Sequence, residues 1–342
     1  MTPKRFLSQT SVFAFGVAVC ICALANPALA KQAIVTFDPE NSIGTYAWSV
    51  NAKGVVAGFY YDSSDDTTKG FLRTADGTLT TFEHGQSEVT AVYGIDNKGR
   101  VAGYWSTLDG NFPGFIRTLN GKLHRFWASG SVAGTFPNAM NAKNAIAGDY
   151  YDAYDIPHGF LRTSNGTITT FDVSGDTYGT SPAAINAADT TTGHYGDASG
   201  INHGFLRTSD GTITTFDAAK DSTGTYAQGI NTDGVIAGYY FDSNGTSHGF
   251  LRDSAGSVAT FDPSGSTGTF CESINDKGAV AGYYYDSSFV AHGFVRTSEG
   301  TFDTFDPKGS AGTYANAINN KAEVVGFYTD STGNYHGFVR TP

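Results

Sequence analysis

The sequence predicts an all-β fold, a seven-bladed β-propeller of four-stranded blades, and three observations predict it. A "GF[LIV]R" core recurs seven times, at Phe71, Phe115, Phe160, Phe205, Phe250, Phe294 and Phe338. A second landmark, read as "TFD" in most copies, recurs at Phe37, Phe82, Phe126, Phe171, Phe216, Phe261 and Phe305, with spacings of 44 or 45 throughout. The two series are out of step at the ends. The first "TFD" has no "GFLR" before it, and the last "HGFVRTP" has no "TFD" after it. A ring in which the N-terminal strand, residues 33 to 38, joins the last blade resolves the mismatch, because an open array would expose strand edges and apolar faces at both ends.

One unit shows the four strands in order: "TYAQGIN", "GVIAGYYFD", "HGFLRT" and "TITTFD". Thr, Val, Ile, Tyr and Phe favour a pleated surface. The 43 glycines and the alternation leave no stripe of helical period. Asp76-Gly77, Asn120-Gly121, Asn165-Gly166 and Asp210-Gly211 suit two-residue type I′ turns. Such a turn sets Phe205 opposite Phe216, an aromatic pair worth somewhat under ~1 kcal/mol. The longest link, from "TFD" to the next "TYA", reads as the crossover between blades. That makes "TYAQGIN" the innermost strand and "TFD" the outermost.

Residues 1–30 read as a secretory signal peptide, with Lys4 and Arg5 ahead of an apolar stretch and Ala28-Leu29-Ala30 as the cleavage site. The remainder, 31–342, is expected to be one domain, secreted or periplasmic, monomeric, and without a membrane span or a lipid anchor. Cleavage removes Cys20 and Cys22 and leaves Cys271 alone, so the mature chain has no internal disulfide. The net charge of −11 argues against nucleic acid or an anionic membrane surface as partner.

The stretch "SINDKGAVAGYYYDSSFVAHGFVRTSEG", in which Ser273 stands where two other units carry glycine, resembles the HAF-type extracellular repeat family of exported bacterial proteins. Units of that family run from Asn-x-x-Gly-x-Val-x-Gly to His-Ala-Phe-Leu. The resemblance spans all seven units and departs from the pattern at Gly293 and Arg296. It implies export and a β-repeat fold, and carries no catalytic residues to transfer.

Five histidines, His158, His203, His248, His292 and His336, each follow an aspartate by six residues. With one pair per blade they cannot converge on a metal, so an Asp-His hydrogen bond bracing the turn is expected. Lys69 and Pro113 replace the histidine in the first two units. The asparagines of the "IN" turns suit a structural Asx reversal, and the arginines after Phe-Leu are expected to contact backbone or carboxylates. "DSNGTS" at 242 to 247 lacks the closing glutamate of a calcium loop. No nucleophile elbow, Cys-His pair, zinc motif or phosphate-binding loop appears, and no cofactor or metal is expected.

The inner strand has one variable position, which reads Trp48, Tyr93, Asn138, Ala183, Gln228, Glu272 and Asn316. Its aromatic and amide side chains suit a binding surface. The repeat breaks at Asp149 and His194, where sister units carry aromatics, and at Ser181. Asp149 and His194 are therefore a site candidate or a compensated Asp-His pair. The expected function is binding of a glycan or surface protein through the crossover-loop face. Alternatives are a polysaccharide hydrolase or lyase with acids near Glu272 and Asp149, and a structural or adhesive surface component without a small ligand.

Overall fold

The computed structural model describes residues 33–85 and 87–342; the candidate signal peptide lies outside them. The described residues form twenty-eight strands and no helix. They group into repeated four-stranded antiparallel sheets, each a meander in chain order. A representative unit comprises Gly224–Ile230, Ile236–Phe241, Ser247–Arg252 and Val258–Phe261. The last three strands, Ser310–Ile318, Val324–Asp330 and Tyr335–Thr341, pair in the same order, and the N-terminal strand Ala33–Phe37 adds to the last of them. That pairing is antiparallel, from Ala33↔Thr341 to Phe37↔Gly337. A single parallel bridge, Gly44↔Tyr335, links the last strand to Ser42–Val50.

The "GF[LIV]R" phenylalanine is the centre of each unit: all seven are fully buried, each contributing about 1.5–3 kcal/mol. The hairpin register differs from the sequence expectation. Phe205 stands opposite Thr215, and Phe216 stands opposite Gly204. The reason is the turn. Only Gly211 takes a positive φ, Asp210 does not, and the loop closes through Gly211 N to Thr208 O and Thr208 N to Thr212 O. A type I turn followed by a left-handed glycine replaces the two-residue I′ turn, and the strands shift by one.

The shift gives Phe216 a partner in the next unit. Its ring meets Phe250 edge-on with 6.1 Å between centroids, within the roughly 4.5–7 Å typical of aromatic pairs. The Arg252 guanidinium lies 4.9 Å above the same ring. The arginine stack recurs in all seven units, from Arg73 over Phe37 to Arg340 over Phe305. The arginines therefore pack chiefly on the preceding unit's phenylalanine, rather than on carboxylates, and such a buried stack is worth up to about 2 kcal/mol. Arg340, which also pairs with Asp303, is the exception.

One further hydrogen-bond series ties unit to unit, and a second braces each unit internally. The turn asparagine Asn275 accepts from Lys277 N and Ala279 N, as its Asx geometry requires, and its Nδ2 donates to Asn319 O at 3.0 Å. Asn319 Nδ2 in turn donates to Asn51 O at 3.0 Å. Asp96 interrupts the series because a carboxylate has no N–H to give; it holds Arg100 instead. The histidines do meet the aspartate six residues earlier, but their shorter bond goes elsewhere. His203 Nδ1 lies 2.7 Å from Asp217 on the fourth strand, and its Nε2 lies 3.4 Å from Asp197. Lys69 takes this place in the first unit, with Asp62 at 3.0 Å and Glu83 at 3.8 Å.

Candidate functional site

The first strand of every unit carries a β-bulge. The register skips from Ala47 to Ser49, Val92 to Gly94, Pro137 to Ala139, Pro182 to Ala184, Ala227 to Gly229, Cys271 to Ser273 and Ala315 to Ala317. The skipped residues are Trp48, Tyr93, Asn138, Ala183, Gln228, Glu272 and Asn316, the variable position of the sequence. A bulged residue is released from the ladder and its side chain is re-aimed. All seven line one cavity of ≈ 530 Å³. A glycine on the second strand makes room for each bulge: a Cβ at Gly238 would sit 2.1 Å from Tyr226 O.

The rest of the lining comes from neighbouring first-strand residues, from His194 on a second strand, and from the turns that follow the first strands, such as Asn97, Ala142 and Thr232; none comes from the crossover segments. The cavity thus draws on the expected inner-strand residues and not on the crossover-loop face. At the crossover end the first and second strands instead carry rings packed on rings. Tyr46 stacks on Phe59 at 5.1 Å and meets Phe327 edge-on at 5.0 Å, and Phe270 stacks on Tyr283 at 5.0 Å and meets Tyr239 edge-on at 4.9 Å.

Asp149 and His194 interrupt this belt of rings, and they do not pair with each other. Asp149 is buried and accepts hydrogen bonds from Asn138 Nδ2 at 2.9 Å and Ser181 Oγ at 3.2 Å. Burial pushes its carboxyl up to about 6, against the pull of those two bonds. It does not line the cavity; it holds Asn138, which does. His194 lines the cavity, packs its ring 4.9 Å from Tyr226, and has an Nδ1 with no hydrogen-bond partner. Burial drives its imidazole down to about 4, so it is neutral at pH 7. The compensated Asp-His pair is thus replaced by two separate polar insertions bridged through Ser181.

Glu272 is the one acid among the bulged residues. Burial pushes its carboxyl up to about 7 with no hydrogen bond to offset it. Gln228 and Asn316 flank it along the unit order; Asn316 Nδ2 donates to Ala47 O at 3.0 Å, next to Trp48. Trp48 and Tyr93 meet edge-on at 5.3 Å. The sequence reading passed over Ser181 and Ser273 as site residues, though both line the cavity. Ser181 was visible as a repeat break; Ser273 gave no such signal, since its position reads Ser49, Gly94, Ala139, Ala184, Gly229, Ser273 and Ala317 along the units. Among the described residues no group of three or more His, Cys, Asp or Glu is placed to hold a metal. Asp242 spends its Oδ1 on Asn244 N and Thr246 N in a turn.

This architecture is that of a β-propeller. Virginiamycin B lyase from Staphylococcus aureus superposes with a TM-score of 0.60 at 13% identity, covering 91% of this chain and 100% of its own. The β-propeller domain of the Trilobed protease from Pyrococcus furiosus, described as having an open velcro topology, gives 0.62 at 11% identity, covering 86% and 95%. The BP39L lectin from Burkholderia pseudomallei gives 0.56 at 10% identity, covering 88% and 98%. No family model and no curated sequence matches the chain.

Proposed function

We propose that the protein is an exported binding propeller of seven blades, closed by its N-terminal strand, that takes a glycan in the cavity between its first strands. One observation carries the reading: a bulge in every unit turns Trp48, Tyr93, Asn138, Gln228, Glu272 and Asn316 into a single space. Its ≈ 530 Å³ lies within the range of small-ligand sites. Flat rings beside amides suit a sugar, which offers both C–H faces and hydroxyls. A lectin among the similar folds is compatible with this. Closure is supported by the bonds between the last unit and the first, Asn319 to Asn51 and Asn316 to Ala47.

The test is a glycan array probed with the protein lacking residues 1–30, beside Trp48→Ala. The reading expects retention of a glycan set by the wild type and its loss in the variant. Retention of no glycan by either would favour a surface component without a small ligand. A hydrolase or lyase reading draws on the Glu272 carboxyl, which burial makes a weaker acid and keeps partly protonated near neutral pH. It is weakened by Asp149, whose carboxyl lies outside the cavity, since glycosidases ordinarily need two carboxyl groups at the bond. Release of reducing ends from a retained glycan would favour it.

A further inference from the structure

We propose that the ligand of this cavity carries an ammonium group, held by the Glu272 carboxylate in the space that the Trp48 and Tyr93 rings also line, so that among glycans the site selects unacetylated amino sugars. The inference deepens the binding reading above and rests on it. It begins from charge. Among the described residues the cavity lining contains no lysine and no arginine, and its acids are Glu272 and Asp276. Asp276 is already committed, accepting from Thr232 N, Thr232 Oγ1 and Asn320 Nδ2 at 2.7 to 3.0 Å. Glu272 has no hydrogen-bond partner among the described residues; it is partly buried, and that burial alone pushes its carboxyl up.

A carboxylate in that position is costly unless something positive or hydrogen-bonding meets it. The wall does not supply it. His194, the one other ionisable group in the lining besides these acids and Tyr93, is held neutral by burial at pH 7. The phenols of Tyr239 and Tyr283, pushed up chiefly by burial and then by the charge of Glu272, stay protonated and carry no positive charge. A counter-charge for Glu272 would therefore come with the ligand. The rest of the arc suits one. Asn316 bonds to Ala47 O, which brings the units of Glu272, Trp48 and Tyr93 into succession, and the two rings stand edge-on at 5.3 Å. Ring faces attract ammonium groups most strongly where water is displaced. An acetylated amine has no charge and would leave Glu272 unpaired.

Isothermal titration of the protein lacking residues 1–30 separates the possibilities with three probes: a glucosamine tetramer, an N-acetylglucosamine tetramer and spermidine. Glu272→Gln keeps the shape and removes the charge; its thermal midpoint serves as the folding control. The expected result is binding of the glucosamine tetramer at least tenfold tighter than the acetylated one, and at least tenfold weaker in Glu272→Gln. If both tetramers bind alike, or Glu272→Gln binds as the wild type does, the ammonium inference is overturned while the glycan reading stands. If spermidine binds through Glu272 and neither tetramer does, the ammonium inference holds and the glycan reading falls. If none of the three binds, both are overturned.

Discussion

Nδ1 of His336 lies 2.7 Å from Oδ2 of Asp38, joining residues 298 positions apart. The other carboxylate oxygen of Asp38 accepts from Thr45 Oγ1 at 2.6 Å. The same two bonds occur well inside the chain, where Asp306 accepts from Thr313 Oγ1 at 2.6 Å and faces His292 Nδ1 at 2.7 Å. The contact between the chain ends is therefore built like any other contact between units, from the outer strand of one to the first strand of the next.

That equivalence is measurable. Phe37→Ala removes a ring that meets Phe71 edge-on at 5.6 Å and lies under Arg73, just as Phe216→Ala does for Phe250 and Arg252. Each substitution is expected to cost on the order of 2 kcal/mol, below the range for a fully buried phenylalanine because these rings are partly exposed. Equal losses of stability in urea unfolding are the expected outcome. A Phe37→Ala loss far smaller than that of Phe216→Ala would mean that the N-terminal strand is frayed in solution and the ring is open.

The histidine braces give stability a pH dependence. Burial lowers the pKa of His158, His203, His292 and His336, but hydrogen bonds and charge from two aspartates each outweigh it, so all four lie above the usual 6.5. The folded state thus binds more protons than the unfolded chain just above pH 6.5, and stability falls as pH rises through the folded values. Hydrogen bonds from the turns, led by Ile156 N for Asp152 and Ile201 N for Asp197, hold those carboxyls low, so their contribution is lost at the acid end instead. As pH rises above 6.5 through the folded values, the thermal midpoint is therefore expected to drop. Replacing the four histidines by glutamine should flatten that limb. A limb equally steep in the variant would assign it to other groups.

The strands and their order were legible because each is encoded by a few neighbouring residues, and repetition multiplies a weak signal. Partners in the next unit were not. Nothing local in "GFLRT" says that Arg252 covers Phe216, 36 residues back, or that His203 prefers Asp217 to Asp197. The variable position around Trp48 and Glu272 was identified by its variability, yet the bulge that aims it depends on a glycine across the ladder, as Gly238 shows. The end of the strands at which those residues gather was not legible for the same reason: a side chain's direction at a bulge cannot be counted along a strand of period two.

Asp149 is expected to act as a positioning residue for Asn138, at a cost in stability. Its carboxyl titrates near 6 because burial outweighs the bonds from Asn138 and Ser181, so its ionised form at pH 8 is disfavoured in the fold by on the order of 2–3 kcal/mol. Asp149→Asn keeps an oxygen for Asn138 Nδ2 and offers an N–H to Ser181. Relative to wild type it should gain stability as pH rises from 5 to 8, with little change in ligand binding. Asp149→Ala should leave the Asn138 amide with Pro182 O as its remaining acceptor, loosen its position and weaken binding. If Asp149→Asn shows no pH-dependent gain, the carboxyl is better solvated than the geometry indicates.

Phe289 offers a test that the repeat itself controls. It sits at φ 60°, a left-handed conformation that costs an L-residue roughly 1–2 kcal/mol. Four sister turns carry glycine there, at Gly110, Gly200, Gly245 and Gly333, and two carry aspartate, at Asp66 and Asp155. The ring returns little for that strain, since Phe289 is 80% exposed, and the turn is already closed by Phe289 N to Asp286 O at 3.0 Å. Phe289→Gly removes the strain but adds freedom to the unfolded chain, about 0.4–1 kcal/mol in the opposite sense. The net expectation is a gain of about 0.5–1 kcal/mol in urea unfolding. The turn adjoins the crossover end, where Thr267 Oγ1 donates to Asp286 O at 2.9 Å, and it is absent from the cavity lining, so ligand binding should not change. A stabilised variant with unaltered binding marks Phe289 as a tolerated departure from the repeat. A stabilised variant that loses binding would move the ligand site toward the crossover face and overturn the assignment of the cavity.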